Sequence, residues 1–233
     1  MKLPPIRYLI LLLLLLGACA RLPGEAAQGT PAARVAATGF AQLLRDGAPL
    51  GSAVAIAPNR LLTNAHVLPA DGAPLQARRG DGAVTLAAVP VLVGQGIDLA
   101  VLEVAEPAFT PPPLAPGLPT AGAPIWALGT PLAGPPVATG HALAPAALAG
   151  RGEGFIAQLP ALAGYSGGPV VDAGGRLLGL VTALPQAGAA PLLGTLAGVD
   201  VAGLAQGAAG REVFVLGWPA IAAALAEVAS PRP

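Results

Sequence analysis

The sequence predicts an all-β protein, and its length, its turn residues and its short apolar runs are the observations behind this prediction. The 233 residues suit one large all-β domain or two small barrels. Hydrophobic residues make up 54% of the chain and charged residues 10%, which excludes a disordered protein. The 32 glycines and 27 prolines interrupt the apolar runs too often for a helical protein. The formal net charge is zero and there is no basic stripe, so no nucleic-acid partner is expected.

The first residues have the composition of an export signal. Two basic residues precede an apolar run, residues 8–16, that is too short to span a bilayer. The run ends in LGAC, residues 16–19, which resembles the lipobox of bacterial lipoproteins and contains the only cysteine of the chain. We therefore predict a signal peptide over residues 1–18 and a lipid on Cys19. The alternative is an ordinary signal peptide in which Cys19 is incidental.

Lipidation predicts a protein of the bacterial cell envelope, anchored to the membrane by lipid rather than by charge. Ala20 follows the cysteine, and by resemblance to sorted lipoproteins a residue other than Asp favours the outer membrane if the cell has one, with the protein facing the periplasm. Residues 19–38 are predicted to be a tether, because residues 21–31 are rich in Pro, Gly and Ala.

Residues 39–105 alternate short apolar runs with turn residues, which predicts a first β-barrel. A short helical turn is expected at His66. Arg78 and Arg79 are expected at a solvated hairpin tip. The predicted strands are residues 39–44, 51–56, 61–63, 75–79, 84–93 and 99–104.

Residues 106–123 form the clearest boundary in the chain. Their six prolines exclude both a helix and a paired central strand, so we predict an extended linker. Residues 124–233 are then predicted to form a second barrel, with His141 on a strand in a structural role and a final helix over residues 220–228. Residues 184–211 are either a loop over a cleft or a surface insertion. The apolar segments expected in this barrel are residues 124–128, 137–143, 154–158, 176–182 and 213–216.

A serine lies among glycines in residues 164–169, GYSGGP. Such a stretch suits a tight backbone bend that presents a hydroxyl and several N–H groups to a ligand. It fits both the G-x-S-x-G nucleophile elbow of α/β-hydrolases and the serine loop of a trypsin-like protease. The elbow needs its histidine after the serine, but His66 and His141 both precede Ser166. His66, Asp98 and Ser166 instead follow the His–Asp–Ser order of the protease.

Three motifs around these residues resemble the chymotrypsin-fold serine proteases, and most of all the bacterial Deg (high-temperature-requirement) branch. TNAHV contains His66, DLAVL begins at Asp98 and GYSGGP contains Ser166, where that branch has T-N-x-H-V, D-L-A-V-L and G-N-S-G-G-P. The resemblance covers residues 39–228. It implies two six-stranded antiparallel β-barrels with a short C-terminal helix. By the resemblance, the residues after Ser166 are expected to complete the second barrel and to be too few for the PDZ domain of larger members.

The resemblance implies a reaction in which Ser166 is the nucleophile, His66 its base and Asp98 the group that orients the histidine. It also implies an oxyanion hole made by the N–H groups of Gly164 and Ser166. We expect the imidazole within about 3.5 Å of both partners. Tyr165 replaces the usual Asn, and its ring could either reshape this loop or pack on its far side. No cofactor and no metal are expected, because two separated histidines do not supply the usual zinc ligands.

The expected function is that of a serine endopeptidase of the cell envelope, acting on protein or peptide substrates that include unfolded envelope proteins. The alternatives are a catalytically inactive peptide-binding lipoprotein with the same fold and a purely structural envelope lipoprotein, which would not explain the three motifs. Residues 155–163 and 178–184 lack acidic side chains, so a pocket for small or medium apolar residues is expected. Cleavage after Arg or Lys would instead point to Asp200 or Glu212. The oligomeric state stays open.

Overall fold

The computed structural model describes residues 22–132, 134–182 and 211–229, which form two closed six-stranded barrels. The strands of the first barrel are paired in the order β1-β2-β3-β6-β5-β4, and β4 pairs with β1 to close it. These strands are β1 (Phe40–Arg45), β2 (Ala48–Ala57), β3 (Arg60–Thr63), β4 (Leu75–Arg79), β5 (Thr85–Val93) and β6 (Ala100–Val104).

The second barrel repeats this architecture in the order β10-β11-β12-β9-β8-β7, and β10 pairs with β7. Every strand pair in both barrels is antiparallel, so the predicted fold class is confirmed. The strands are β7 (Pro124–Leu128), β8 (Val137–Leu148), β9 (Gly152–Gln158), β10 (Pro169–Val171), β11 (Leu177–Thr182) and β12 (Glu212–Gly217).

Each barrel encloses its own apolar core, and a third cluster of buried residues joins the two barrels. In β3, Leu61 lies in the core of the first barrel and its neighbour Leu62 in the joining cluster. In β11, Val181 lies in the core of the second barrel and Leu180 in the joining cluster. Consecutive side chains of a strand point to opposite faces, so these strands are buried on both sides. Their sequences are therefore continuous apolar runs rather than alternating ones.

The segment before β1 differs from the free tether that its composition predicts. A short helix, Pro23–Ala26, and a π-helical turn, Val35–Gly39, pack against the barrels. Ala27, Ala32 and Ala36 are fully buried in the joining cluster. Alanine is compatible with a flexible linker, but it is also small and apolar enough to be buried against a packed surface. Residues 1–21, including Cys19, lie outside the described residues, and the domain boundaries stay predictions.

The predicted solvated hairpin tip is only half correct. Arg78 is exposed, but the guanidinium of Arg79 pairs with Asp81 at 2.9 Å and donates a hydrogen bond to the Ala108 carbonyl at 2.7 Å. Ala108 belongs to residues 105–123, which run between the barrels without a regular strand; one isolated bridge joins Leu114 to Leu177. One side of the hairpin therefore contacts this connecting segment, while Arg78, Asp81 and Ala83 stay exposed.

The described part of the chain ends in a helix, Trp218–Ala229. Pro219 lies in its first turn, where proline lacks no needed N–H donor. Ile221 is buried in the joining cluster, which anchors the helix on the second barrel. No helix among the described residues is long and apolar enough to cross a membrane. The predicted insertion, residues 184–211, lies outside the described residues except for Arg211, because residues 183–210 are not described.

Candidate active site

His66 and Asp98 come from two neighbouring loops of the first barrel. His66 lies in a 3₁₀ turn, Ala65–Val67, directly after β3, and Asp98 lies in the bend before β6. Oδ2 of Asp98 is 2.7 Å from Nδ1 of His66, and Oδ1 accepts a hydrogen bond from the backbone N–H of His66 at 3.1 Å. One carboxylate therefore fixes both the ring and the backbone of the histidine.

Asp98 is 7% exposed and its pKa lies below the ordinary value. Burial raises the pKa of this carboxyl. Hydrogen bonds from the His66 ring and backbone lower the pKa and outweigh burial, and the charges of His66 and Arg151 lower it as well. The carboxylate is thus ionised at neutral pH and accepts a hydrogen bond from Nδ1 of His66. The proton on Nδ1 leaves Nε2 of the neutral ring as a proton acceptor.

Ser166 lies in the loop before β10, and its backbone contacts the first barrel. Its carbonyl accepts a hydrogen bond from the Ser52 N–H at 2.9 Å. The next residue, Gly167, donates its N–H to Oδ1 of Asn64 at 2.7 Å. Because Asn64 is two residues before His66, the serine loop contacts the segment that carries the histidine. No hydrogen bond joins the Ser166 hydroxyl to His66 within the described ranges; such contacts are often long in the absence of substrate.

Two N–H groups of the serine loop have no acceptor among the described residues. The Tyr165 N–H donates to the Leu162 carbonyl at 3.1 Å, which closes a turn whose third residue, Gly164, has φ of 101°. This positive φ is typical of a type II turn and requires glycine. The N–H groups with acceptors in this loop are those of Tyr165, Gly167 and Gly168. Those of Gly164 and Ser166 donate to no acceptor in the described part of the chain, and they are the two predicted oxyanion donors.

Tyr165 packs on the far side of the loop, which was one of the two arrangements considered for it. Its side chain is fully buried in the core of the second barrel, and its hydroxyl donates to the Pro135 carbonyl at 2.6 Å. The ring lies so close to Gly129 that a Cβ there would be 2.5 Å from it. Burial raises the pKa of the phenol, which keeps it a neutral hydrogen-bond donor. Tyr165 therefore offers only its backbone to the loop.

Asn64 is a site residue to which the sequence assigned no role. Its side chain is fully buried, and its Nδ2 donates to the Asp98 carbonyl and to the Thr182 hydroxyl, each at 2.9 Å. The Asn64 amide also accepts the hydrogen bond from Gly167. It therefore links the loop of Asp98 and the loop of Ser166 to β11, which contains Thr182. The sequence signal was a polar residue at the end of an apolar strand, two positions before a histidine.

Ser52, Thr63 and Arg151 were also missed. The Ser52 hydroxyl donates to the Gly164 carbonyl at 2.7 Å, and the Thr63 hydroxyl donates to the Ser52 carbonyl at 2.8 Å. This chain of bonds holds the loop of Gly164 against the first barrel. Arg151 of the second barrel lies 2.7 Å from the Asp98 carboxylate. None of these contacts is visible as a local motif, because each joins residues distant in sequence.

His141 lies apart from these residues. It is exposed on β8, in register with Pro124 of β7, in agreement with its predicted place on a strand. Nothing in the described ranges connects it to the serine loop by a hydrogen bond. The same ranges contain no cluster of three His, Cys, Asp or Glu side chains that could hold a metal ion.

Comparisons with known proteins agree with this fold. The chain is similar to the active form of the Rv3671c protease from M. tuberculosis, with 21% identity and a TM-score of 0.67 over 93% of this chain and 92% of that chain. The inactive form of Rv3671c protease matches with 20% identity and a TM-score of 0.65, over 90% of this chain and 95% of that chain. The chain is also similar to the HtrA-type protease AlgW with tripeptide, with 25% identity and a TM-score of 0.64. The match covers 86% of this chain and 62% of the AlgW chain.

A search of curated proteins finds no match. The model of the trypsin-like peptidase domain, by contrast, matches residues 51–180, which is more than half of the chain. The matched range includes His66, Asp98 and Ser166. The chain therefore belongs to the trypsin-like peptidase domain family and is a serine protease.

Proposed function

We propose that the protein is an endopeptidase that cleaves peptide bonds through an acyl-enzyme on Ser166, with His66 as the base and Asp98 as the group that orients it. The observation that carries this proposal is the Asp98–His66 pair, joined at 2.7 Å, next to a serine loop that contacts the same segment of the first barrel. The N–H groups of Gly164 and Ser166, which have no acceptor within residues 22–132, 134–182 and 211–229, would provide the remaining requirement of acyl transfer.

In the proposed reaction, the Ser166 hydroxyl attacks the carbonyl carbon of the peptide while Nε2 of His66 takes its proton. The negative oxygen of the tetrahedral intermediate accepts hydrogen bonds from Gly164 and Ser166. His66 then donates its proton to the leaving amine as the C–N bond breaks. Water attacks the ester with His66 again as base, which releases the acid and regenerates the serine. Asp98 stabilises the positive imidazolium in both steps.

A fluorophosphonate probe tests this proposal, because it reacts with an activated serine. The wild type should be labelled on Ser166, and the Ser166→Ala and His66→Ala variants should not be labelled. His141→Ala is the matched control, since it removes the other histidine, and it should be labelled as the wild type is. A folded wild type that neither reacts with the probe nor cleaves an unfolded model protein, yet binds peptides, would establish the peptide-binding alternative.

The proposed substrates are unfolded polypeptides with a small or medium apolar residue before the cleaved bond. The support is the sequence of the two segments expected to line the pocket, residues 155–163 and 178–184, which contain no acidic side chain. An acidic group would be needed to pair with a substrate Lys or Arg. Glu212 is at the exposed start of β12.

We also propose that the protein is a lipoprotein of the bacterial cell envelope, modified on Cys19 and facing the periplasm, in the outer membrane where the cell has one. The support is the LGAC sequence that follows a short apolar run, with Ala20 after the cysteine. A lipid would give the membrane affinity that a nearly neutral chain lacks.

Replacing Cys19 with serine should move the protein from the detergent phase to the aqueous phase in a detergent-partition experiment and abolish labelling with radioactive palmitate. The reason is that the thiol is the acceptor of the lipid. Ala20→Ser leaves the cysteine in place and should partition as the wild type does. A Cys19→Ser variant that still enters the detergent phase would contradict the lipid anchor.

A further inference from the structure

Arg151 contacts the same carboxylate oxygen that holds the histidine. Nη1 of Arg151 is 2.7 Å from Oδ2 of Asp98, and Nδ1 of His66 is also 2.7 Å from Oδ2. The Arg151 carbonyl in turn accepts a hydrogen bond from the Asp98 N–H at 3.4 Å. Arg151 therefore contacts Asp98 through both its side chain and its backbone.

The contact crosses from one barrel to the other. Arg151 lies in the turn between β8 and β9, which belong to the second barrel, whereas Asp98 precedes β6 of the first. Beside it, Gly152 packs so closely on Ile97 that a Cβ there would be 2.9 Å from that side chain. The turn is thus held against the loop of Asp98 by packing as well as by charge. The Arg151 side chain is only 26% exposed, which limits screening of the pair by water.

The charges around Asp98 come from two directions. His66 approaches from the turn after β3 and Arg151 from the turn between β8 and β9; no other charged or titratable side chain of the described residues is hydrogen-bonded or ion-paired to Asp98. A guanidinium stays protonated at every pH relevant to a protease. When His66 gains a proton, two cations lie on one oxygen, no farther apart than twice the 2.7 Å contact. Their repulsion opposes that proton.

We propose that Arg151 is a positioning residue of the proteolytic reaction, which fixes the Asp98 carboxylate across the barrel interface and keeps the His66–Asp98 pair in its base form at lower pH. This inference rests on the proposed function of the same site. Arg151 acts through Asp98, because no hydrogen bond or ion pair of the described residues joins its side chain to His66 or Ser166. It should therefore affect the pH range and the rate of the reaction and not the affinity for substrate.

Replacing Arg151 with glutamine or methionine removes the positive charge, and methionine keeps part of the packing of the side-chain stem. In both variants the acid limb of the pH–kcat/KM profile should move to higher pH by about 0.5–1 pH unit, because protonation of the pair is then no longer opposed. The kcat on the pH plateau should fall about 3–10-fold through a less fixed carboxylate, with KM unchanged. Arg151→Lys should restore the position of the acid limb.

The matched control is Arg176→Gln, which removes an exposed arginine that pairs with Asp172 outside the site. It should leave the pH profile unchanged. A merely structural role of Arg151 would lower kcat in the neutral variants without moving the acid limb. An acid limb at the same pH in the wild type and in both neutral variants would overturn the proposal.

A second measurement does not depend on activity. In a Ser166→Ala background, the ring N–H proton of His66 that is bonded to Asp98 can be followed by NMR across pH, and His141→Gln removes the other histidine signal. Adding Arg151→Gln should move the pH-dependent change of this signal upward, as in the rate profile. If that shift is present but the wild type is not labelled and cleaves nothing, only the proposed function fails. If the wild type is active and the signal is unchanged, the role of Arg151 fails.

Discussion

Replacing Asp98 with asparagine should lower kcat about 10⁴-fold and leave both barrels folded. In the wild type the two carboxylate oxygens accept three hydrogen bonds, from the His66 backbone, the His66 ring and Arg151. An asparagine that keeps its oxygen toward the backbone N–H turns its NH₂ toward the ring and toward Arg151. The ring then has its proton on Nε2, where it cannot accept the proton of Ser166. The rate should be measured as kcat on a peptide substrate, with KM reported separately.

The matched control for this variant is Asp172→Asn. Asp172 is also an ionised carboxylate paired with an arginine, Arg176, but it lies in the turn between β10 and β11. It should retain the kcat of the wild type. Circular dichroism should show the same strand content in both variants. If Asp98→Asn kept a kcat within tenfold of the wild type, Asp98 would not be the group that orients the base.

Replacing Gly167 with alanine should destabilise the protein by about 2–4 kcal/mol and lower kcat at least about 100-fold. Gly167 has φ of 78°, and a Cβ there would be 2.2 Å from the Ser52 carbonyl oxygen and 2.3 Å from the Thr63 hydroxyl. Both neighbours belong to the first barrel and neither is a flexible side-chain end. The loop must therefore move away, which displaces Ser166 next to it. Urea unfolding and kcat measure the two effects.

Gly47 provides a close control for this substitution. It has the same φ of 78°, but a Cβ there would meet nothing within 4 Å, since it lies in the exposed turn between β1 and β2. Gly47→Ala therefore introduces the backbone strain alone, at about 1–2 kcal/mol, and should not change kcat. Equal effects of the two substitutions on stability and on kcat would show that the close contact at Gly167 has no role.

The barrels and the order of the site residues could be predicted because their signals are local. Turn residues mark the ends of strands, and the motifs around His66, Asp98 and Ser166 each lie within a few positions. The contacts that complete the site are not local. The Asn64 amide contacts Thr182 and Gly167, and Arg151 contacts Asp98, so each bond depends on how the two barrels pack. No periodicity in the sequence encodes that arrangement.

Composition did not show how the segment before β1 packs, and it left the position of the Tyr165 ring open. The alanines before β1 were interpreted as part of a tether, whereas Ala27 and Ala32 fill space in the joining cluster. For Tyr165, both directions of the ring were compatible with the motif. The direction of the ring is determined by the space beside Gly129 and by the Pro135 carbonyl that accepts its hydrogen bond. Both features depend on the assembled second barrel.

The apolar cluster between the barrels makes the molecule a single cooperative unit. Leu62 of the first barrel and Leu180 of the second are fully buried in this cluster, so separating the barrels would expose both leucines although each barrel has its own core. Partial unfolding of one barrel would expose the partner's leucines to water, which opposes any stable half-folded state. A cut in the segment between the barrels would then leave two fragments, each with an exposed apolar face that favours their association. The hydroxyl and imidazole of the site would be reunited only in that reassembled pair.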